Sequence, residues 1–456
     1  MAELTPAHRV ALGEVITRSP DHILSLLESA VADMAGSRAE AVRLMMAEEI
    51  RDRLRRDQVL RPILPLFRDR VDGMQGFILP IRLRDDLWRA AKRNEPELLP
   101  KLDYDDDLAR MICDRLCQTA AAALRDHGTK LWPAGTSDDR KRLARILDVA
   151  GIARTSLKRL PDWQGRIDAE EAAELKLALR QAQAVGDDGP DCLMEIYFAH
   201  LREGLQVLRL AEHAAALGSP SISLSQGSYA VFVDRVMATL VEKADLIVAF
   251  DIAEGPNGVL AFRDRLNWLA TALKEFDVVV VPRADSVWAR TLRHQKLRLS
   301  MSLTERFKLA DDAVDALLPQ EKTTLAGRMT RAVPHLAAPL DDDGVERARL
   351  LVGVLSTTHG PAAAMGCESE RRQTVEGIIG RISNWSGEAL DLLNKHDVSD
   401  GGRLARRRLQ VMVDLLQLAG GKDAARTVRR RLASLGPGPG SGAASRGVLP
   451  PSLRQA

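Results

Sequence analysis

YAVFVDRVMATLVEKADLIVAF (residues 229–250), DIAEGPNG (251–258), VLAFRDRLNWLATALKEF (259–276) and, after Asp277, the run Val278-Val279-Val280-Val281 before Pro282 form the most apolar stretch of the chain. Two chain paths fit it. In one, 229–250 and 259–276 are the helices of a hairpin. In the other, 245–250 and 278–281 are parallel strands, and Gly255 to Gly258 form a loop that could hold a phosphate at a helix start. The first belongs to an all-helical scaffold, the second to a nucleotide enzyme.

Spacing separates them. Tyr229, Val233, Val236, Leu240, Ala244 and Ile247 recur every three or four residues, one face of a single helix running through the supposed first strand. Val259, Phe262, Leu266, Leu269, Leu273 and Phe276 do the same. Gly255 and Gly258 are followed by neither the third glycine of a dinucleotide fingerprint nor the Lys-Ser/Thr of a P-loop. A parallel sheet also needs further strands, and the chain offers almost none. A helical hairpin is predicted. Only the four β-branched valines, closed by Pro282, are expected to be extended.

Working outward, the composition agrees. Of 456 residues only 4% are aromatic and 45% are hydrophobic, while Ala, Leu and Arg abound, a mixture suited to helix–helix packing. Arg outnumbers Lys 52 to 13, as in proteins from GC-rich bacterial genomes. The four cysteines, Cys113, Cys117, Cys192 and Cys367, are too scattered for a disulfide framework and suit a reducing cytoplasm. No basic start leads into an apolar core, so no signal peptide is expected. The uncharged windows 214–233 and 350–367 are broken by Gly and Pro and are not spanning helices.

Punctuation divides the rest. Thr5-Pro6 and Ser19-Pro20 read as helix caps, and helices are predicted near 6–17, 20–34, 38–57, 105–126, 139–150, 168–185 and 190–217. Asp187-Asp188-Gly189-Pro190 reads as the turn before the last of these, and Gly420-Gly421 as the joint of a pair at 403–419 and 422–435. Linkers are expected at 128–139 and 331–344. The result is an all-α multi-helix bundle or irregular helical array in two or three blocks: 1–128, 139–330 containing the 229–282 hairpin, and a basic 345–435. A Gly/Pro/Ser-rich tail, 436–456, is expected to be disordered.

Few residues combine into chemistry. Cys113 and Cys117 lie one turn apart, without the second ligand pair that zinc uses, and read as buried thiols. Asp103, Asp105, Asp106 and Asp107, like Asp341, Asp342 and Asp343, precede predicted helices, where carboxylates favour the positive end of the dipole. His200 and His213, in one predicted helix, are too far apart to share a metal. His396-Asp397, with His359 upstream and Asp414 downstream, resembles the doublet of the His-Asp metal-dependent phosphohydrolases; the resemblance covers those residues alone and would imply a metal held by His359, His396, Asp397 and Asp414.

The strongest signal is charge. Residues 401–456 carry eleven Lys and Arg against two Asp, net +9, leaving −7 for the rest of a chain whose total is +2. Arg403 and Arg407 lie one turn apart, as do Arg426 and Arg430, offering guanidinium forks to phosphate or carboxylate. The function expected is that of a non-catalytic cytoplasmic adaptor, scaffold or regulatory protein that binds other proteins, without a cofactor, as a monomer or homo-oligomer. The alternatives are electrostatic binding of nucleic acid or anionic lipid through 401–435, and a phosphohydrolase centred on His396-Asp397.

Overall fold

A computed structural model describes residues 5–68, 76–104, 107–201, 204–217, 224, 227–324, 330–395 and 399–435. The fold is all-α; among the described residues the sheet is one two-stranded hairpin. The tail at 436–456 lies outside the described residues, as do Asp105, Asp106, His396 and Asp397. Contacts gather the chain into two compact units, Met1–Val236 and Met237–Ala456, divided within the helix Ala230–Val248.

The first unit opens with α1 (Pro6–Arg18), α2 (Asp21–Ala32) and α3 (Ser37–Leu60) around a small core of Ile16, Leu24 and Met46. The Thr5 hydroxyl caps α1 by accepting from the His8 N–H at 3.3 Å, with Pro6 at the first helical position. Ser19, predicted to cap α2, instead closes α1 by donating to the Val15 carbonyl at 2.7 Å. A main core follows, built from α4 (Ile81–Asn94), α5 (Asp107–Leu131), α6 (Ser137–Ser156), α7 (Ala169–Val185), α8 (Gly189–His200) and α9 (Gln206–Leu217).

The stretch 128–139 is the turn joining α5 to α6, two helices packed along each other through Leu116, Ala120, Leu143 and Leu147. Thr136 and Asp139 start α6 with a reciprocal capping box. Cys113 and Cys117 are buried free thiols in this core, and burial pushes the Cys117 thiol up to about 12. The helix predicted over 190–217 is divided. Leu201 turns extended after α8, so His200 and His213 stand on different helices. Each ring is claimed by a distant carbonyl, His200 Nε2 by Pro62 at 2.7 Å and His213 Nε2 by Gly165 at 2.9 Å. Tertiary bonds here override a helical periodicity.

The decisive stretch is the predicted pair of helices, α10 (Ala230–Val248), whose residues from Met237 on belong to the second unit, and α11 (Gly255–Glu275). Both apolar stripes are buried: Leu240, Ala244 and Ile247 on α10, and Val259, Phe262, Leu266, Leu269 and Leu273 on α11. Lys243 lies over the Trp268 ring, and Phe250 packs on Phe262 with centroids 4.8 Å apart, a pairing only an antiparallel hairpin gives. The valines are not extended. Phe276–Val280 is a π-helical turn continuing α11, ended by Val281 at φ 42, whose N–H bonds the Phe276 carbonyl. The buried Phe276 prolongs the helix past the point where β-branching favours a strand, and Pro282 then forbids its residue before from staying helical.

Beyond it come α12 (Val287–Ala316), β1 (Gln320–Thr324), β2 (Thr330–Pro334), α13 (Asp342–Thr357), α14 (Ala362–Met365), α15 (Glu368–Lys395), α16 (Ser399–Leu418) and α17 (Lys422–Ser434). The strands pair antiparallel, from Gln320 opposite Pro334 to Thr324 opposite Thr330. Residues 331–334, read as linker, are thus strand; the polar run Gln320–Thr324 carries no apolar alternation to announce it. Asp341 caps α13 by accepting from the Asp343 N–H, and Gly420, at φ +87, reverses the chain between α16 and α17.

Candidate functional site

The long α12 carries two apolar rows. One, including Trp288, Leu292, Leu299, Leu303, Phe307 and Val314, is buried in the unit. The other, Leu297, Met301 and Leu309, faces solvent, with Met301 66% and Leu309 40% exposed. Met301 and Leu309 line a groove of about 990 Å³ between α12, α13 and the end of α10. Val248 and Phe250 line one side and Leu351 and Val354 the other. Glu305 and Arg347 stand exposed on the lining, and neither forms an ion pair among the described residues.

Arg306 sets the floor. Its Nη2 donates to the carbonyls of Ile247, Val248 and Phe250 at 3.1, 3.0 and 2.9 Å, and its Nη1 to the Ser302 carbonyl at 3.0 Å and to the Ser302 hydroxyl. Those carbonyls end α10, the negative pole of its dipole, so the guanidinium is a C-terminal cap supplied from another helix. Burial lowers its pKa, against the opposing charge of Glu305. The rings of Phe250 and Phe262 sit beside it. Arg298 adds a second tie from α12 to α10, pairing with Asp245 at 2.8 Å. These bonds hold the groove's walls in fixed register without using Glu305 or Arg347.

The arginines singled out from sequence are spread along the α16–α17 hairpin. Arg403 and Arg430 are exposed, Arg407 pairs with Asp342 at 2.8 Å, and Arg426 pairs with Asp423 on its own first turn at 3.0 Å. Neighbouring arginines are structural: Arg406 donates to the Leu435 carbonyl, and Arg408, 2% exposed, donates to those of Ala338 and Pro339. Burial lowers the Arg408 pKa.

The ligands of the phosphohydrolase resemblance are not assembled among the described residues. His396 and Asp397 fall outside them. Asp414 pairs with Arg349 at 3.0 Å in the body of α13, whereas exposed His359 lies beyond the end of that helix. Among the described residues no group of three or more His, Cys, Asp or Glu could hold a metal. No family model, curated protein or solved structure matches the chain.

A buried charge cluster in the first unit completes the inventory. Glu195 on α8, 3% exposed, accepts from Arg142 at 2.8 Å, from Arg235 at 2.9 Å and from the Phe77 N–H at 2.8 Å. Burial pushes the carboxyl of Asp191, one turn earlier, upward despite its bond with Ser228. The cluster ties α6, α8 and α10 to the segment at Phe77, a structural task. Sequence reasoning passed over both Arg306 and Glu195, because their partners lie tens of residues away. The outer row of α12 did leave a signal: Leu297 and Met301 at i, i+4 and Leu309 two turns on, off the helix's main stripe.

Proposed function

We propose that the chain is a non-catalytic helical binding protein whose α10–α12–α13 groove takes a short apolar segment of a partner protein. The observation that carries this is Met301 and Leu309, exposed on the lining of a groove beside Glu305 and Arg347, two charges without an ion pair among the described residues. Solvent-facing apolar side chains are ordinary when scattered, but two on the lining of one groove, with Val248, Leu351 and Val354 beside them and charges between, suit a binding site. The partner segment would offer apolar side chains to Met301, Leu309 and Val248, with a basic flank for Glu305 and an acidic flank for Arg347. Four buried free cysteines support a reducing compartment such as the cytoplasm, and among the described residues no helix is long and apolar enough to cross a membrane.

The test is site-specific photo-crosslinking. A photoreactive residue at Met301 should capture a defined segment of a stoichiometric partner at physiological salt. Capture should vanish when Leu309→Arg is added. Equal capture from a control position at exposed Val278 would defeat the proposal.

A second reading, binding of nucleic acid or anionic lipid through 401–435, is favoured by Arg429 and Arg430, exposed on α17 without an ion pair among the described residues. It requires binding that weakens steeply with salt and is lost when Arg403, Arg407, Arg426 and Arg430 become Ala.

A further inference from the structure

We infer that residues 448–454 of this chain are an occupant of the same groove, a tethered apolar segment that a partner must displace. The inference rests on reading the groove as a peptide-binding surface. After α17 the sequence runs GPGPGSGAASRG over 436–447, with five Gly and two Pro, and then Val448-Leu449-Pro450-Pro451-Ser452-Leu453-Arg454. A spacer without large apolar residues is thus followed by a short apolar motif. Its chemistry fits the groove: Val448, Leu449 and Leu453 for Met301, Leu309 and Val248, and Arg454 for Glu305, which forms no ion pair among the described residues. Two adjacent prolines restrict any peptide to few backbone conformations, so a segment carrying Pro450-Pro451 has less freedom to lose on docking.

The tether starts in the right place. The Leu435 carbonyl accepts from Arg406 Nη2 at 3.2 Å, and the next residue, Arg407, pairs with Asp342 at 2.8 Å. Asp342 is the first residue of α13, and Arg347 on the groove lies five residues further along that helix. Two arginine side chains, the contacts that join them and five helical residues place Leu435 within about 40 Å of Arg347. The thirteen steps from Leu435 to Val448 span about 45 Å when extended, enough to bring Val448 to the Arg347 side of the groove.

Tethering does the rest. A short flexible connection gives an effective concentration on the order of millimolar, so even a contact with a millimolar dissociation constant is occupied about half the time. A partner binding in trans must then exceed that competition.

The experiment uses the full chain at low concentration, with Met301→Cys and Leu449→Cys introduced together; the native cysteines are buried. Mild oxidation should form an intramolecular disulfide about tenfold faster than the pair Val278→Cys and Leu449→Cys, whose first position is equally exposed. In parallel, Leu449→Asp with Leu453→Asp should raise amide hydrogen exchange in peptides covering 247–252 and 297–309. Equal oxidation rates for the two pairs would overturn the inference, as would unchanged exchange. Disulfides formed only between chains would overturn it too, by assigning the groove to the tail of a second copy. Partner capture at Met301 separates the two ideas. If capture persists but the tail pair fails, the binding function stands without the tail. If the tail cross-links while no partner is captured from the Leu449→Asp chain, the tail contact stands and the partner-binding function falls.

Discussion

Glu195 in the first unit and Arg306 in the second are both charges drawn out of water, and the two units stabilise them by different means. Glu195 is met by opposite charges, the guanidiniums of Arg142 and Arg235. Arg306 forms no ion pair among the described residues and is met by the carbonyls that end α10. Buried Arg408 repeats the second solution with Ala338 and Pro339. A counter-charge cluster depends on every side chain in it, because deleting one leaves the others buried and uncompensated. A helix end is made of backbone, so its negative pole survives any single substitution nearby. The difference teaches that the first unit concentrates its risk in a few residues, while the second distributes it along the chain.

The largest effect that would sharpen this contrast is Glu195→Ala. It strands two guanidiniums and the Phe77 N–H, and should cost about 3–5 kcal/mol in urea unfolding. A loss within 1 kcal/mol, as an exposed pair would show, would break the comparison. Arg306→Leu keeps the apolar contact with the phenylalanine rings but leaves the terminal carbonyls of α10 without their donor. About 1–3 kcal/mol is expected, measured the same way, with Arg306→Lys intermediate because an ammonium lacks the fork.

Smaller still is Asp191→Asn. Burial raises the Asp191 pKa above its unfolded value, so the carboxyl costs stability as pH rises from the unfolded pKa, and the full cost is present above the folded pKa. The variant should therefore unfold slightly later than the native protein at pH 7, and that advantage should disappear as pH falls through the ordinary carboxylate range and the native side chain takes up its proton. Thermal melts at several pH values check the sign. Smallest is Leu309→Arg, a change at a side chain 40% exposed, expected to stay within about 0.5 kcal/mol. A stable variant that also loses capture by the photoreactive residue at Met301 separates binding from folding.

The helices of the central hairpin were legible because each stripe is local: Leu240, Ala244 and Ile247 recur on α10 and Leu266, Leu269 and Leu273 on α11 with no help from elsewhere. What failed needed distant information. His200 and His213 follow one helical period, yet bonds to Pro62 and Gly165 place them on separate helices. The valines at 278–281 have strand-forming side chains, but buried Phe276 and the ring of Pro282 decide their backbone. The β hairpin escaped because its strands are exposed and polar. The groove was half legible. Leu297, Met301 and Leu309 mark a second face of α12, but their exposure depends on α13 packing where it does, and Arg306 is understandable only once the end of α10 is beside it. The basic run at 401–431 was read as one surface, although folding turns Arg408 inward and pairs Arg407 and Arg426 with carboxylates.

The π-helical turn at Phe276–Val280 has a consequence for how this chain can change length. An i→i+5 turn holds one residue more than an α-helical turn, and this one starts at buried Phe276, after the last buried position of α11, Leu273, and before the first of α12, Trp288. Losing or gaining one valine here falls among exposed and half-buried side chains, past the last fully buried one, Phe276. Losing one residue near Leu266 would rotate half of α11 by about 100° and carry Leu269, Leu273 and Phe276 out of the interior. The four valines are the place where a codon can be inserted or deleted while the rest of the hairpin stays in frame.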